Sequence, residues 1–140
     1  MQLLCASPQD KTPQAQSTQV PSNSPFVGAD GLQTLNLSND IDVIEMDLQG
    51  IERIELNFPK FTDGRAFTQA VMLRRRKDFK ADIRALGDVL VDQVLQMQRT
   101  GFTSAVLRED QSVEVARNTL KRFRSFYQGD ALQAQPHFSR

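Results

Sequence analysis

The strongest constraint on this chain is a change of apolar period, from two to helical spacing and back, repeated along its middle. Arg53 to Phe58 alternates, with Ile54, Leu56 and Phe58 on one side and Glu55 and Asn57 on the other. Pro59 ends that run, Thr62-Asp63-Gly64 opens a helix, and Phe67, Ala70, Val71 and Leu73 give it one apolar face. Ala81 to Leu86 alternates again, with Ile83 and Ala85 opposite Arg84 and Leu86. Val91, Val94 and Leu95 follow at helical spacing, and Gly101 stops them. Thr103 to Leu107 reads as a fourth strand, then Ser112 caps a helix carrying Val113, Ala116, Leu120, Phe123 and Tyr127. Upstream, Leu32 to Leu37 reads as the first strand, and Ser38-Asn39-Asp40 as the cap of a helix bearing Ile41, Ile44 and Leu48. Four βα units in series predict a small parallel sheet flanked by helices. The sheet can be open or curved like a half-barrel; the chain is too short for a complete eight-unit barrel.

The ends read differently. Residues 1–25 hold five Gln, four Ser and four Pro, with Asp10 and Lys11 the charges among them. Such a composition buries too little apolar surface to offset chain entropy. Residues 1–31 are therefore expected to be a disordered lead, 32–128 a single α/β domain, and 129–140 a flexible tail.

Composition also bounds the chemistry. The only cysteine, Cys5, falls in the lead and the only histidine, His137, in the tail. The domain proper thus lacks the side chains for a thiolate or imidazole metal site, a redox pair or a Ser–His–Asp unit, and no cofactor is evident. No apolar run approaches the length of a membrane span, and the first residues lack the features of a secretory signal, so a cytoplasmic location without membrane contact is expected. Net charge is zero but segregated: Asp40 to Glu55 is acidic, whereas Lys60 to Arg124 holds 14 Lys and Arg against 8 Asp and Glu. Without a nucleic-acid motif, that excess reads as solvated helix faces rather than a nucleic-acid surface. The run Arg74–Lys77 reads as cations at a helix carboxyl end.

Two polar clusters follow strands. Lys60, Thr62, Asp63, Gly64 and Arg65 combine a helix start with cationic side chains, which suits a small anion; the competing reading is that Asp63 caps the helix. Arg84, Gly87, Asp88, Asp92 and Gln93 form the second cluster. An arginine within a strand needs a partner, and Glu55 on the neighbouring strand is the expected structural pair. Anion binding by Lys60, Gly64, Arg65, Arg84 and Gly87, and proton transfer by Asp63 or Asp88, are the chemical possibilities. Arg99 and Arg108 rank behind them, as residues near the ends of elements.

Phe58, Phe61, Asp63-Gly64-Arg65, Leu73-Arg74, Arg84-Ala85, Gly87-Asp88-Val89, Asp92-Gln93, Arg99 and Gly101-Phe102 together resemble the motifs of a bacterial domain-of-unknown-function family that carries an oxidoreductase, sulfite-reduction label. The resemblance covers roughly Leu35 to Gln128. It implies a role in sulfur assimilation beside sulfite reductase. Phe67-Thr68 and Thr100 depart from the family pattern, and Thr100 leaves no thiol near the motifs. Two functions stay open: an accessory protein that binds a small anion or the reductase itself, or an enzyme acting on a small anionic substrate by acid–base means or with an organic cofactor.

Overall fold

The computed structural model describes residues 3–6, 23–123 and 125–139. Among these residues six strands form one sheet: β1 (Leu4–Ala6), β2 (Pro25–Val27), β3 (Gln33–Leu37), β4 (Arg53–Phe58), β5 (Asp82–Gly87) and β6 (Ser104–Val106). Their order across the sheet is β1-β6-β5-β4-β3-β2. All neighbours are parallel except β2, which pairs antiparallel with β3. From β3 to β6 each strand lies beside its predecessor. Right-handed crossovers therefore place the connecting helices on one side, as in a segment of a βα barrel left open at β1 and β2.

That side is the apolar one. Leu35, Leu37, Ile54, Leu56, Phe58, Ile83, Ala85 and Ala105 are buried against α1 (Arg65–Arg75), α2 (Val94–Thr100) and α3 (Val113–Lys121) in one core. Phe58 sits edge-on to Phe67 of α1 at 5.0 Å and 5.8 Å from Phe102, an aromatic cluster that ties β4 to both following units. Gly101 ends α2 at φ +111°, and a Cβ there would lie 2.6 Å from Arg74 Cγ. The basic run at the end of α1 is thus more than capping. Arg74 is buried and donates to the carbonyls of Gly101 (2.9 Å), Phe79 (2.7 Å) and Ala81 (2.8 Å), joining the ends of two helices to the start of β5.

The sheet departs from the sequence expectation at both edges and at one crossover. Leu4–Ala6, inside the stretch whose composition reads as disordered, add β1 to β6 in parallel, with Cys5 opposite Ala105. Cys5 therefore lies in the core rather than outside the fold, and burial pushes its thiol up to about 11 against the opposing charge of Arg117. Residues 7–22 of the lead lie outside the described residues. The helix expected over Ile41–Leu48 is a single 3-10 turn, Val43–Glu45. Asp42 takes the Ile44 N–H at 2.9 Å and Asp47 the Gln49 N–H at 3.0 Å, local bonds that compete with helix continuation. The last helix ends at Lys121, short of Phe123 and Tyr127.

Candidate functional site

Two arginine-centred clusters organise the polar chemistry, one within the sheet and one at its carboxyl rim. The first lies on the face opposite the helices. Strand register sets Asn36, Glu55, Arg84 and Ser104 side by side across β3, β4, β5 and β6, and Thr34, Arg53 and Asp82 one row below. All but Asp82 are buried, and Asp82 is partly so. Asn57 donates to Asn36 at 2.6 Å and Asn36 to Glu55 at 2.9 Å. Arg84 NH1 is 3.8 Å from Glu55 Oε1 and its NH2 3.8 Å from Asp82 Oδ2, while its Nε reaches Ser104 Oγ at 3.3 Å. Arg53 donates to Asp82 at 2.7 Å and also pairs with Asp30.

Burial and the Arg53 charge lower the Arg84 guanidinium below its ordinary value, against Asp82 and Glu55. Burial raises the Asp82 carboxyl, but bonds from Thr103, Arg53 and Ser104 outweigh it and leave the net shift downward. Arg84 is thus engaged inside the sheet, 3% exposed. It lies against Glu55, Asp82 and Ser104, the last two of which alternation alone does not reveal.

The second cluster forms where β4, β5 and β6 end. Gly87 has φ +95°, and a Cβ there would lie 2.4 Å from the Phe58 carbonyl oxygen. Only glycine lets the two strand ends approach so closely while the chain turns left-handed. The turn brings the Asp88 N–H to that same carbonyl at 2.8 Å, and Arg108 N–H to the Val89 carbonyl at 3.0 Å. Side chains then stitch the three loops together. Asp88 accepts from Phe61 N–H at 2.7 Å and from Arg108 NH1 at 2.7 Å, and Gln93 donates to the Phe61 carbonyl at 3.2 Å. Asn57, Phe58, Pro59, Gly87, Asp88 and Arg108 line a crevice of about 470 Å³ at this rim. Arg108 is 44% exposed and offers its Nε/NH2 edge to Asp110, at 2.6 and 2.8 Å, in a two-pronged pair.

The bond from Arg108, then that from Phe61 N–H, holds the Asp88 carboxyl below the usual range. The Arg108 side chain likewise draws Asp110 down to about 2.

The Asp63-Gly64-Arg65 turn lies in the loop from β4 to α1 but does not line this crevice. Arg65, 62% exposed, forks onto Asp63 at 3.1 and 2.8 Å. Asp63 also takes the Arg65 N–H at 3.2 Å and an Asn39 amide bond at 2.7 Å, and these bonds, Arg65 first, hold its carboxyl well below the ordinary range. Gly64 precedes α1 without a side-chain cap, and a Cβ there would make an ordinary 3.7 Å contact with Phe67. Lys60 is exposed and next to Pro59 of the crevice wall. Arg65 and Arg84 therefore do not share the crevice; Gly87 and Asp88 form it, with Arg108 as its cation. Arg108 is one of the two lower-ranked arginines of the sequence, and its place after a buried strand was the available signal. Among the described residues no group of three His, Cys, Asp or Glu side chains is arranged to hold a metal ion, and no helix is long and apolar enough to cross a membrane.

Fold and rim together define an α/β protein of serial βα units with a crevice at the carboxyl ends of its parallel strands. The chain belongs to the family described as bacterial protein of unknown function (DUF934), whose profile it matches over residues 34–138. No curated protein and no solved structure matches it.

Proposed function

We propose that this protein is an accessory protein that binds a small oxyanion at the carboxyl-end crevice, with Arg108 as the clamp and Lys60 on the rim. The observation that carries this reading is the state of the Arg108 fork. Its Nε/NH2 edge is held by an exposed carboxylate, Asp110, in the two-pronged geometry that a sulfate, sulfite or phosphate would adopt. An exposed ion pair contributes little net stability, so a ligand oxyanion can take the place of Asp110 at small cost. NH1 stays anchored on Asp88, which keeps the fork aimed.

In this reading Arg108 rather than Arg84 binds the anion, and Gly87 serves by letting the loops converge. Arg65, forked onto Asp63 at the start of α1, offers a secondary position of the same kind. The family resemblance, with its sulfite-reduction label, makes sulfur oxyanions the first ligands to test and sulfite reductase the first protein partner. Proton transfer by Asp63 or Asp88 is the weaker alternative. Arginine partners hold both carboxyls below the usual range, so both are ionised near neutrality, whereas a general acid needs a value close to the working pH.

Thermal unfolding in the presence of sulfite, sulfate and phosphate tests the binding reading, because a ligand selective for the native state raises the midpoint; at 100 times its Kd the stabilisation is about 2.7 kcal/mol. At least one anion is expected to raise the midpoint of the wild type and of Arg65→Ala but not of Arg108→Ala. If no anion shifts the wild type, or if Arg108→Ala responds as the wild type does, the crevice is not an oxyanion site.

A further inference from the structure

Beyond the crevice, the helix layer has two flanks of opposite character. Its members lie in the order 43–45 turn, α1, α2, α3, each packed on the next, so the turn and α3 are separated by two helices. At the turn, Asp40, Asp42, Glu45 and Asp47 are all exposed around Ile44, itself 38% exposed. Lys77, bonded to the Ile44 carbonyl at 3.1 Å, and Arg65, within electrostatic reach of Asp40, are cations beside this turn, and four acids against two leave it net negative. At the other flank, Arg117, Lys121 and Arg122 are exposed; Glu114, in the first turn of α3, is exposed too, but no acid follows it in the sequence from Val115 to Gly129.

The chain after α3 adds an apolar component. Tyr127 is 78% and Phe138 67% exposed, yet their rings meet at 5.2 Å, tilted by 37°; Phe123 and Leu132 are exposed as well. The segment bearing them is held from beneath. Arg99 lies 4.4 Å over the Phe126 ring and donates to the Gln128 carbonyl at 2.9 Å, and Arg75 donates to the Asp130 carbonyl at 3.3 Å. Asp130 faces inward, accepting the Leu132 and Gln133 N–H groups at 3.0 and 2.8 Å, so its charge is not offered outward. Aromatic side chains held in place and left in water, rimmed by one sign of charge, have the chemistry of a docking surface. Ordering them in advance removes part of the entropic cost of association.

We propose that this aromatic and basic surface, centred on Lys121, Arg122, Phe123, Tyr127 and Phe138, docks on the acidic 40–47 turn of a second copy of the chain. The occupant follows from the charges: the molecule carries both complementary surfaces, at opposite flanks of one layer, while its net charge is zero. Opposite flanks cannot meet within one molecule. Between copies they give a head-to-tail contact, which extends or closes into a ring instead of forming a two-fold dimer.

Sedimentation equilibrium of the full chain over a concentration series, at low and high ionic strength, tests the proposal. The wild-type mass is expected to rise with concentration and to fall back as salt is added. Lys121→Glu/Arg122→Glu and Asp42→Lys/Glu45→Lys should each weaken self-association about tenfold or more. An equimolar mixture of the two variants should recover it, since each retains the surface the other has lost. Tyr127→Ser/Phe138→Ser should also weaken it. All substituted residues are exposed, and an unchanged circular dichroism spectrum verifies each fold. A wild type that is monomeric at every concentration overturns the proposal, as does association that survives both charge reversals or fails to return on mixing.

Discussion

Arg84 and Arg108 are each held by two acidic side chains, yet they sit in opposite environments. Arg84 lies mid-strand among Glu55, Asp82 and Ser104, closed off from solvent. Arg108 lies at the rim between Asp88 and Asp110, open to solvent. The chemistry is nearly the same and the consequence is reversed. Removing one partner from the buried set strands charges that water cannot reach, so that set holds its arrangement. The exposed set can exchange one carboxylate for another anion with little loss. The inner arginine therefore fixes the strands, and the outer one is free to change partners.

The largest expected effect is at the inner arginine. Arg84→Ala leaves Glu55 buried without its cation, while the partly buried Asp82 keeps Arg53, and should destabilise the protein by about 3–5 kcal/mol, read from urea unfolding. A loss no greater than that of an exposed-residue substitution would erase the distinction between the two clusters. Next comes the hinge between the strand ends. Gly87→Ala combines a left-handed backbone with a Cβ 2.4 Å from a carbonyl oxygen, and the backbone strain alone costs roughly 1–3 kcal/mol. It should also blunt the anion response, because the loops carrying Asp88 and Phe61 must separate. A variant as stable as wild type would mean that the rim does not depend on that approach.

A smaller effect is set by pH. Asp82 titrates below its ordinary value in the fold, so the unfolded chain binds its proton more readily. Its contribution is complete above the unfolded value, about 3.9, and disappears as pH falls through the lower folded value. The stability gap between wild type and Asp82→Asn should be constant from neutrality down to about pH 5 and shrink below about pH 4. A gap that widens on acidification would reverse the sign assigned to this carboxylate.

How far these features could be read from the sequence follows the same division. Alternation located β3 to β5 because each places apolar residues on one side of the sheet, apolar content located β6, and Asp63-Gly64 marked the start of α1; alternation has a limit, however. It could not show that the other face is buried too, since Asn36, Glu55, Asp82 and Ser104 look like ordinary solvent-facing positions. β1 was hidden by its length, three residues beside a Gln/Ser/Pro-rich stretch, with burial of Cys5 supplied by β6 and α3. The pattern Val113 to Tyr127 suggested a longer α3, but Arg99 draws Phe126 and the Gln128 carbonyl onto α2, and that tertiary hold competes with continuation of the helix. Gly87-Asp88 was visible as a turn. Its pairing with Arg108, twenty residues away, arises only when β5 and β6 lie side by side.

The central claim, that Arg108 exchanges Asp110 for a ligand oxyanion, is tested most directly by isothermal titration of sulfite, sulfate and phosphate into wild type, Asp110→Asn and Arg108→Ala. Asp110 is an internal competitor for the fork, so Asp110→Asn should bind the preferred anion several-fold more tightly than wild type, while Arg108→Ala should not bind it. Equal or weaker binding by Asp110→Asn, or retained binding by Arg108→Ala, would contradict the account.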